Sequence, residues 1–92
     1  MVKIIFFPPI TKRREDAEHH IAIAGPMEIN AFIAMLRGDS SLVGHFNSIR
    51  EYARGENFLR EVIVIVNDTL ADNGCQVKDG DVVKLVLPLA GG

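Results

Sequence analysis

Gly25-Pro26-Met27-Glu28-Ile29-Asn30-Ala31-Phe32-Ile33-Ala34-Met35-Leu36-Arg37-Gly38 is the stretch on which the fold turns. Ile29, Phe32, Ile33 and Leu36 fall at i, i+3, i+4 and i+7, a spacing that gathers side chains into one stripe of an α-helix. Pro26 suits a first helical turn, where a missing N–H costs little. Glu28 would sit near the positive helix end, and Ala31 and Ala34 add propensity. Arg37 complements the negative end and Gly38 stops the helix. The sequence therefore predicts one strongly amphipathic helix. In a chain this small its stripe must cover a sheet, so the flanking segments decide the architecture.

Upstream, Val2-Lys3-Ile4-Ile5-Phe6-Phe7 reads as a strand over residues 2–7, rich in β-branched and aromatic residues. Val2, Ile4 and Phe6 share one face and Lys3, Ile5 and Phe7 the other. Lys3 wants water, so the first set is assigned to the core, leaving Ile5 and Phe7 as a candidate partner face. Pro8-Pro9 ends the ladder, because neither proline has an N–H to donate. Residues 11–18 read as a solvated connection. The basic run Lys12-Arg13-Arg14 is balanced by Glu15, Asp16 and Glu18, which favours a loop over a phosphate site. His19 to Ala24 reads as a second strand, with Ile21 and Ile23 on one face. Adjacent His19 and His20 would point to opposite faces of such a strand, so the two are read as surface histidines rather than a chelating pair.

Downstream, Asp39-Ser40-Ser41 offers turn and cap chemistry. Leu42, Phe46, Ile49 and Ala53 then recur at helical spacing, predicting a second, shorter helix to about residue 50, weakened by Gly44. His45 has no chemical companion nearby in sequence. Glu61 to Val66 predicts an internal strand, since Val62-Ile63-Val64-Ile65-Val66 is apolar without interruption. Asn67-Asp68 supplies a turn. Residues 69–78 read as irregular or as one short strand. Lys78-Asp79-Gly80-Asp81 is a tight turn with Gly80 at its permissive position, feeding a final strand over residues 81–87.

The order is strand, strand, helix, short helix, strand, minor strand, strand. The fold class this implies is α+β: one main helix crosses one face of a mixed sheet whose first and last strands pair in parallel. That is the β-grasp, or ubiquitin-like, roll. Residues 1–87 form the domain, and 88–92 a tail ending in Gly91-Gly92.

The chain has 92 residues, enough for one modest core. Ten Lys and Arg against twelve Asp and Glu give a net charge of −2, which leaves no overall basic field for nucleic acid or an anionic membrane. No apolar run is long enough for a spanning helix. The first residues are too strand-like for a signal peptide, and a cytoplasmic setting is the expectation. Cys75 is the only cysteine, so no intrachain disulfide can form. It has neither a resolving cysteine nor a base close in sequence. No glycine-rich phosphate loop and no zinc-spaced His/Cys set is present. The chain is therefore not expected to catalyse or hold a cofactor or metal alone, and the unusual feature is Leu87-Pro88-Leu89-Ala90-Gly91-Gly92. Two terminal glycines alone arise in roughly one chain in 200 from ordinary composition. After a β-grasp's final strand they gain weight as a slim stem carrying a free carboxylate.

Val2-Lys3-Ile4-Ile5-Phe6-Phe7, Val66-Asn67, Lys78-Asp79-Gly80-Asp81-Val82-Val83 and the closing Leu87-to-Gly92 segment together resemble the small subunit of molybdopterin synthase and its relatives, the prokaryotic ubiquitin-like sulfur carriers. The likeness is most specific over the last fifteen residues and least over residues 11–60. Where the molybdopterin synthase subunits often carry a second proline, Leu89 follows Pro88, and extra sequence lies near residues 38–60. The resemblance implies that an E1-like enzyme uses ATP and magnesium to adenylate the Gly92 carboxylate. A persulfide donor then supplies sulfur, leaving a thiocarboxylate. Leu87, Pro88, Leu89, Ala90 and Gly91 would enter the partner's active site, and a molybdopterin synthase large subunit would receive the sulfur for cyclic pyranopterin monophosphate. Three alternatives stay open: carriers for tRNA, thiamin or cysteine synthesis, a protein modifier conjugated through Gly92, and a noncatalytic β-grasp binding module.

Overall fold

A computed structural model describes residues 1–12, 14–52 and 58–88, with only the backbone at Tyr52. The elements in chain order are β1 (Val2–Phe6), β2 (Ala17–Ile21), β3 (Met27–Glu28), α1 (Ile29–Arg37), α2 (Val43–Tyr52), α3 (Phe58–Glu61), β4 (Ile63–Val66), β5 (Thr69–Leu70), β6 (Gln76–Val77) and β7 (Val82–Val86). Five strands form a sheet in the order β2-β1-β7-β4-β5, and β3 and β6 pair as a separate two-stranded ribbon. β1 runs antiparallel to β2 and parallel to β7, while β7 and β4 are antiparallel. This is the mixed sheet of a β-grasp, with the first and last strands side by side in its middle.

Strand alternation decides what the sheet buries. Val2, Ile4 and Phe6 are fully buried, as are Val83 and Leu85 on β7, and Val64 is almost so. α1 lays Ile29, Phe32, Ile33 and Leu36 into the same core, and α2 adds Phe46 and Ile49 beside Leu42. Removing side chains of this size from water contributes about 1.5–3 kcal/mol each. The predicted helix stripe and first-strand core face therefore both stand, as does the second helix. Ala53, read as its last apolar residue, lies outside the described residues.

Several boundaries move. α1 begins at Ile29, because Met27 and Glu28 pair with Val77 and Gln76 instead of starting the helix. Glu28 is its N-cap: the side chain accepts a hydrogen bond from the Asn30 N–H at 3.0 Å, which holds the carboxyl below its usual range. Gly38 ends the helix in a right-handed conformation, donating its N–H to the Met35 carbonyl at 3.1 Å. The second strand runs over Ala17–Ile21 rather than from His19 to Ala24. It is drawn back along the chain by its register with β1, which pairs Phe6 with Ala17 and Val2 with Ile21. The first strand stops at Phe6, the internal strand is Ile63–Val66, and the final strand is Val82–Val86.

Residues 69–78 hold two short strands. The helix α3 is an addition to the expected elements: Phe58 tilts against Phe46 at 6.2 Å between centroids and lies under the Arg37 guanidinium at 4.9 Å. Ile10, read as part of no element, is fully buried.

Candidate functional site

β7 carries the candidate site, and its two ends are held differently. At its start, the Lys78–Asp81 turn closes with the Asp81 N–H donating to the Lys78 carbonyl at 3.0 Å, and Gly80 has a φ of 91° that suits only glycine without strain. The Asp81 carboxylate is nearly buried and accepts from the Lys78 N–H at 2.8 Å and the Asn67 side-chain amide at 2.7 Å. Burial alone would raise the Asp81 pKa, but these two hydrogen bonds and the Lys78 charge outweigh it and hold the carboxyl below its usual range. The Asn67 side-chain oxygen also accepts from the Val82 N–H at 2.9 Å, and the Asn67 N–H donates to the Val82 carbonyl at 2.9 Å. Asn67 and Asp68 have φ values of 49° and 67°, the left-handed conformation of a two-residue hairpin turn, which Asn and Asp tolerate well. The Val66-Asn67 and Lys78-to-Val83 motifs thus form one clamp that fixes where β7 begins.

At its far end β7 leaves through Leu87, which is 5% exposed and packs in the core, followed by an exposed Pro88. Leu87, read with the tail as a partner contact, has its side chain engaged in the chain's own core and roots the segment beyond it. Leu89, Ala90, Gly91 and Gly92 lie outside the described residues.

Ile5 and Phe7 fall on the sheet face away from the core and are half-buried. They have company that the sequence pattern did not gather: Ile63 and Ile65 from β4, and Val82 and Val86 from β7, are half-buried on the same face. Their signal was the alternation within β4 and β7, masked in β4 because every residue there is apolar. Charge enters this face at Lys3, 3.6 Å from Glu18, and at its middle, where Lys84, in register with Ile5 and Ile65, lies 3.6 Å from Asp68. Phe7, Val86 and Ile63 make the end nearest Leu87 apolar.

Other reactive groups are elsewhere. Burial, then the charges of Asp72, Asp81 and Glu28, pushes the Cys75 thiol above its usual pKa, the opposite of an activated nucleophile. His19 and His45, which no sequence spacing connects, meet: their Nε2 atoms are 3.2 Å apart. Burial, then His19 itself, pushes the His45 imidazole below its usual range. His20 points to the other side of β2 and contacts Glu18 at 3.4 Å. Period-two alternation with Ile21 was the available signal that His19 faces inward. Among the described residues no group of three or more His, Cys, Asp or Glu side chains gathers around one point, and no helix is long and apolar enough to cross a membrane.

The ThiS family model matches residues 4–92. Among solved structures, the chain is similar to one in a protein–protein complex of subunits 1 and 2 of molybdopterin-converting factor from Helicobacter pylori 26695. Identity is 27%, the match covers 99% of this chain and 97% of that one, and the TM-score is 0.54. No curated protein matches the sequence.

Proposed function

The chain belongs to the ThiS family of β-grasp sulfur carriers, and from that premise we propose that it carries sulfur as a thiocarboxylate on Gly92. The supporting observation is positional. The family match runs through Gly92, while β7 is clamped at its start and followed by Leu87, the last buried residue among those described. A carboxylate is a poor electrophile. An E1-like partner using ATP and magnesium converts it to an acyl-adenylate. The terminal sulfur of a persulfide donor displaces AMP to give an acyl disulfide, and a thiol then cleaves the S–S bond, releasing the thiocarboxylate and leaving a disulfide on the donor. Glycine at 91 and 92 presents no side chain to a narrow partner channel. Proline at 88 limits one backbone angle of the stem. The partner supplies the nucleotide site and the acid–base groups.

The recipient we favour is the large subunit of a molybdopterin synthase, acting on cyclic pyranopterin monophosphate. The support is the likeness to a chain of the Helicobacter converting-factor complex over nearly the whole of both chains. The apolar face of Ile5, Phe7, Ile63 and Val86 is the surface assigned to that partner, since it adjoins the root of the tail. The family match favours a second recipient equally in kind, the thiamin-type sulfur pathway.

Intact-protein mass spectrometry tests the carrier reading. Incubation with a cognate E1-like enzyme, ATP, magnesium, a persulfide donor and a thiol reductant is expected to add about 16 Da, one oxygen replaced by sulfur through acyl activation. A larger adduct on a lysine-containing protein would assign the chain as a modifier instead. No product from an intact Gly92 terminus, with an enzyme active on another carrier, would sink both. Transfer of the sulfur to a pyranopterin or to a thiazole precursor then separates the two recipients.

A further inference from the structure

The His19–His45 contact lies outside everything the carrier reading uses. His19 projects from the inward face of the edge strand β2, and His45 from the first turns of α2. Phe6 fixes both rings: it stacks on His45 at 4.5 Å between centroids and meets His19 edge-on at 5.9 Å. The two imidazoles are thus oriented by the core and not by each other alone.

Their 3.2 Å Nε2–Nε2 separation is at the long limit of a nitrogen-donor hydrogen bond. It also matches another geometry. Two imidazole nitrogens bound at about 2.0–2.1 Å to one tetrahedral ion stand about 3.3–3.4 Å apart, within the roughly 0.2 Å tolerance by which metal sites are judged. The pair borders a cavity of about 550 Å³, which has room for the waters that would complete a coordination shell. Among the described residues Glu15 and Asp16 line that cavity, and the Lys12 ammonium at its edge is 3.1 Å from Glu51, while the Glu18 carboxylate turns to the other face, toward Lys3 and His20. The Asp39 carboxyl is held below its usual range, first by hydrogen bonds from Ser41 and to a lesser degree by the His19 charge. The local field therefore favours a cation over an anion. Imidazole donors select zinc and its first-row neighbours over magnesium or calcium.

We propose that His19 and His45 form a two-imidazole binding site for a zinc-class divalent cation, joining β2 to α2, with water filling the remaining positions. Binding at this site ties the edge strand to the helix and stabilises the folded chain by mass action.

The test is calorimetric titration of the intact protein with zinc chloride, together with cobalt(II) absorption and the imidazole proton resonances. The expected result is one ion per chain, with the His19 and His45 resonances perturbed and those of His20 unmoved. H19Q and H45Q are each expected to weaken binding by at least about tenfold, while H20Q and C75S bind as the wild type does. The resonance pattern of the wild type decides the matter even if a substitution unfolds the chain. Absence of saturable binding up to about 1 mM zinc, perturbation centred on His20 or Cys75, or undiminished affinity in folded H19Q and H45Q would each overturn the proposal.

Discussion

The two ends of β7 are secured by opposite kinds of chemistry. Its start is a polar clamp in which Asn67, Lys78 and Asp81 exchange directional hydrogen bonds. Its finish is an apolar anchor, Leu87, buried in the core. Hydrogen bonds fix register, and register decides which residues of β7 face the core. Hydrophobic burial is non-directional. It holds Leu87 in the core without fixing register. The clamp thus sets which residue emerges and the anchor sets where.

Removing Gly92 leaves both ends of β7 intact, so it should abolish thiocarboxylate formation, read by intact mass, while the unfolding midpoint stays at the wild-type value. A large loss of stability on this deletion would mean that the tail belongs to the fold. Leu87→Ala removes the anchor and should cost about 2–5 kcal/mol in denaturant unfolding, the usual range for a buried leucine. A cost under about 0.5 kcal/mol, the range of ordinary surface changes, would show that the anchor is dispensable.

Asp81→Ala breaks the clamp by leaving the Lys78 N–H and the Asn67 amide without their acceptor, at about 1–3 kcal/mol. Its pH signature is specific. The folded-state pKa of Asp81 is depressed, so its contribution is fully present above the unfolded value and is lost as pH falls through the folded one. The variant should therefore lose less stability than wild type on acidification below the unfolded carboxyl range near pH 3.9. An unchanged acid limb would remove Asp81 from the account. Phe7→Ala lies on the open face near the anchor. It should weaken large-subunit binding by about 1–2 kcal/mol while barely moving the unfolding midpoint, as paired calorimetry and melting would show. Smallest of all, Asp68→Asn keeps the turn conformation and loses only an exposed ion pair with Lys84, so no measurable change in stability is expected.

Much of this architecture could be read from periodicity. The stripe Ile29-Phe32-Ile33-Leu36 and the alternation Val2-Ile4-Phe6 each have one physical solution, burial against the other. The turn at Gly80 was legible because few residues accept its backbone conformation. What escaped reading was set by pairing at a distance. Nothing local makes Met27 and Glu28 a strand rather than a first helical turn. Their hydrogen bonds go to residues 76 and 77. The start of β2 is likewise imposed by β1. The apolar outer face of β4 was hidden inside a run with no alternation to read. The contact of His19 with His45 joins a strand to a helix across 26 positions. Gly91-Gly92 gained its weight in the sequence from the β-grasp strand that precedes it and from the resemblance; the family match spans it, and its own structure lies outside the described residues.

The parallel pairing of β1 with β7 has a kinetic consequence. The last strand in chain order occupies the middle of the sheet, between β1 and β4. Without it the sheet separates into two hairpins that share no backbone bonds. Contacts of such sequence separation close late and slowly. Docking of β7 should therefore coincide with completion of the domain and should be what places Leu87 in its pocket. A chain with Leu87 buried is then one whose folding has finished, a distinction open to the activating partner proposed above.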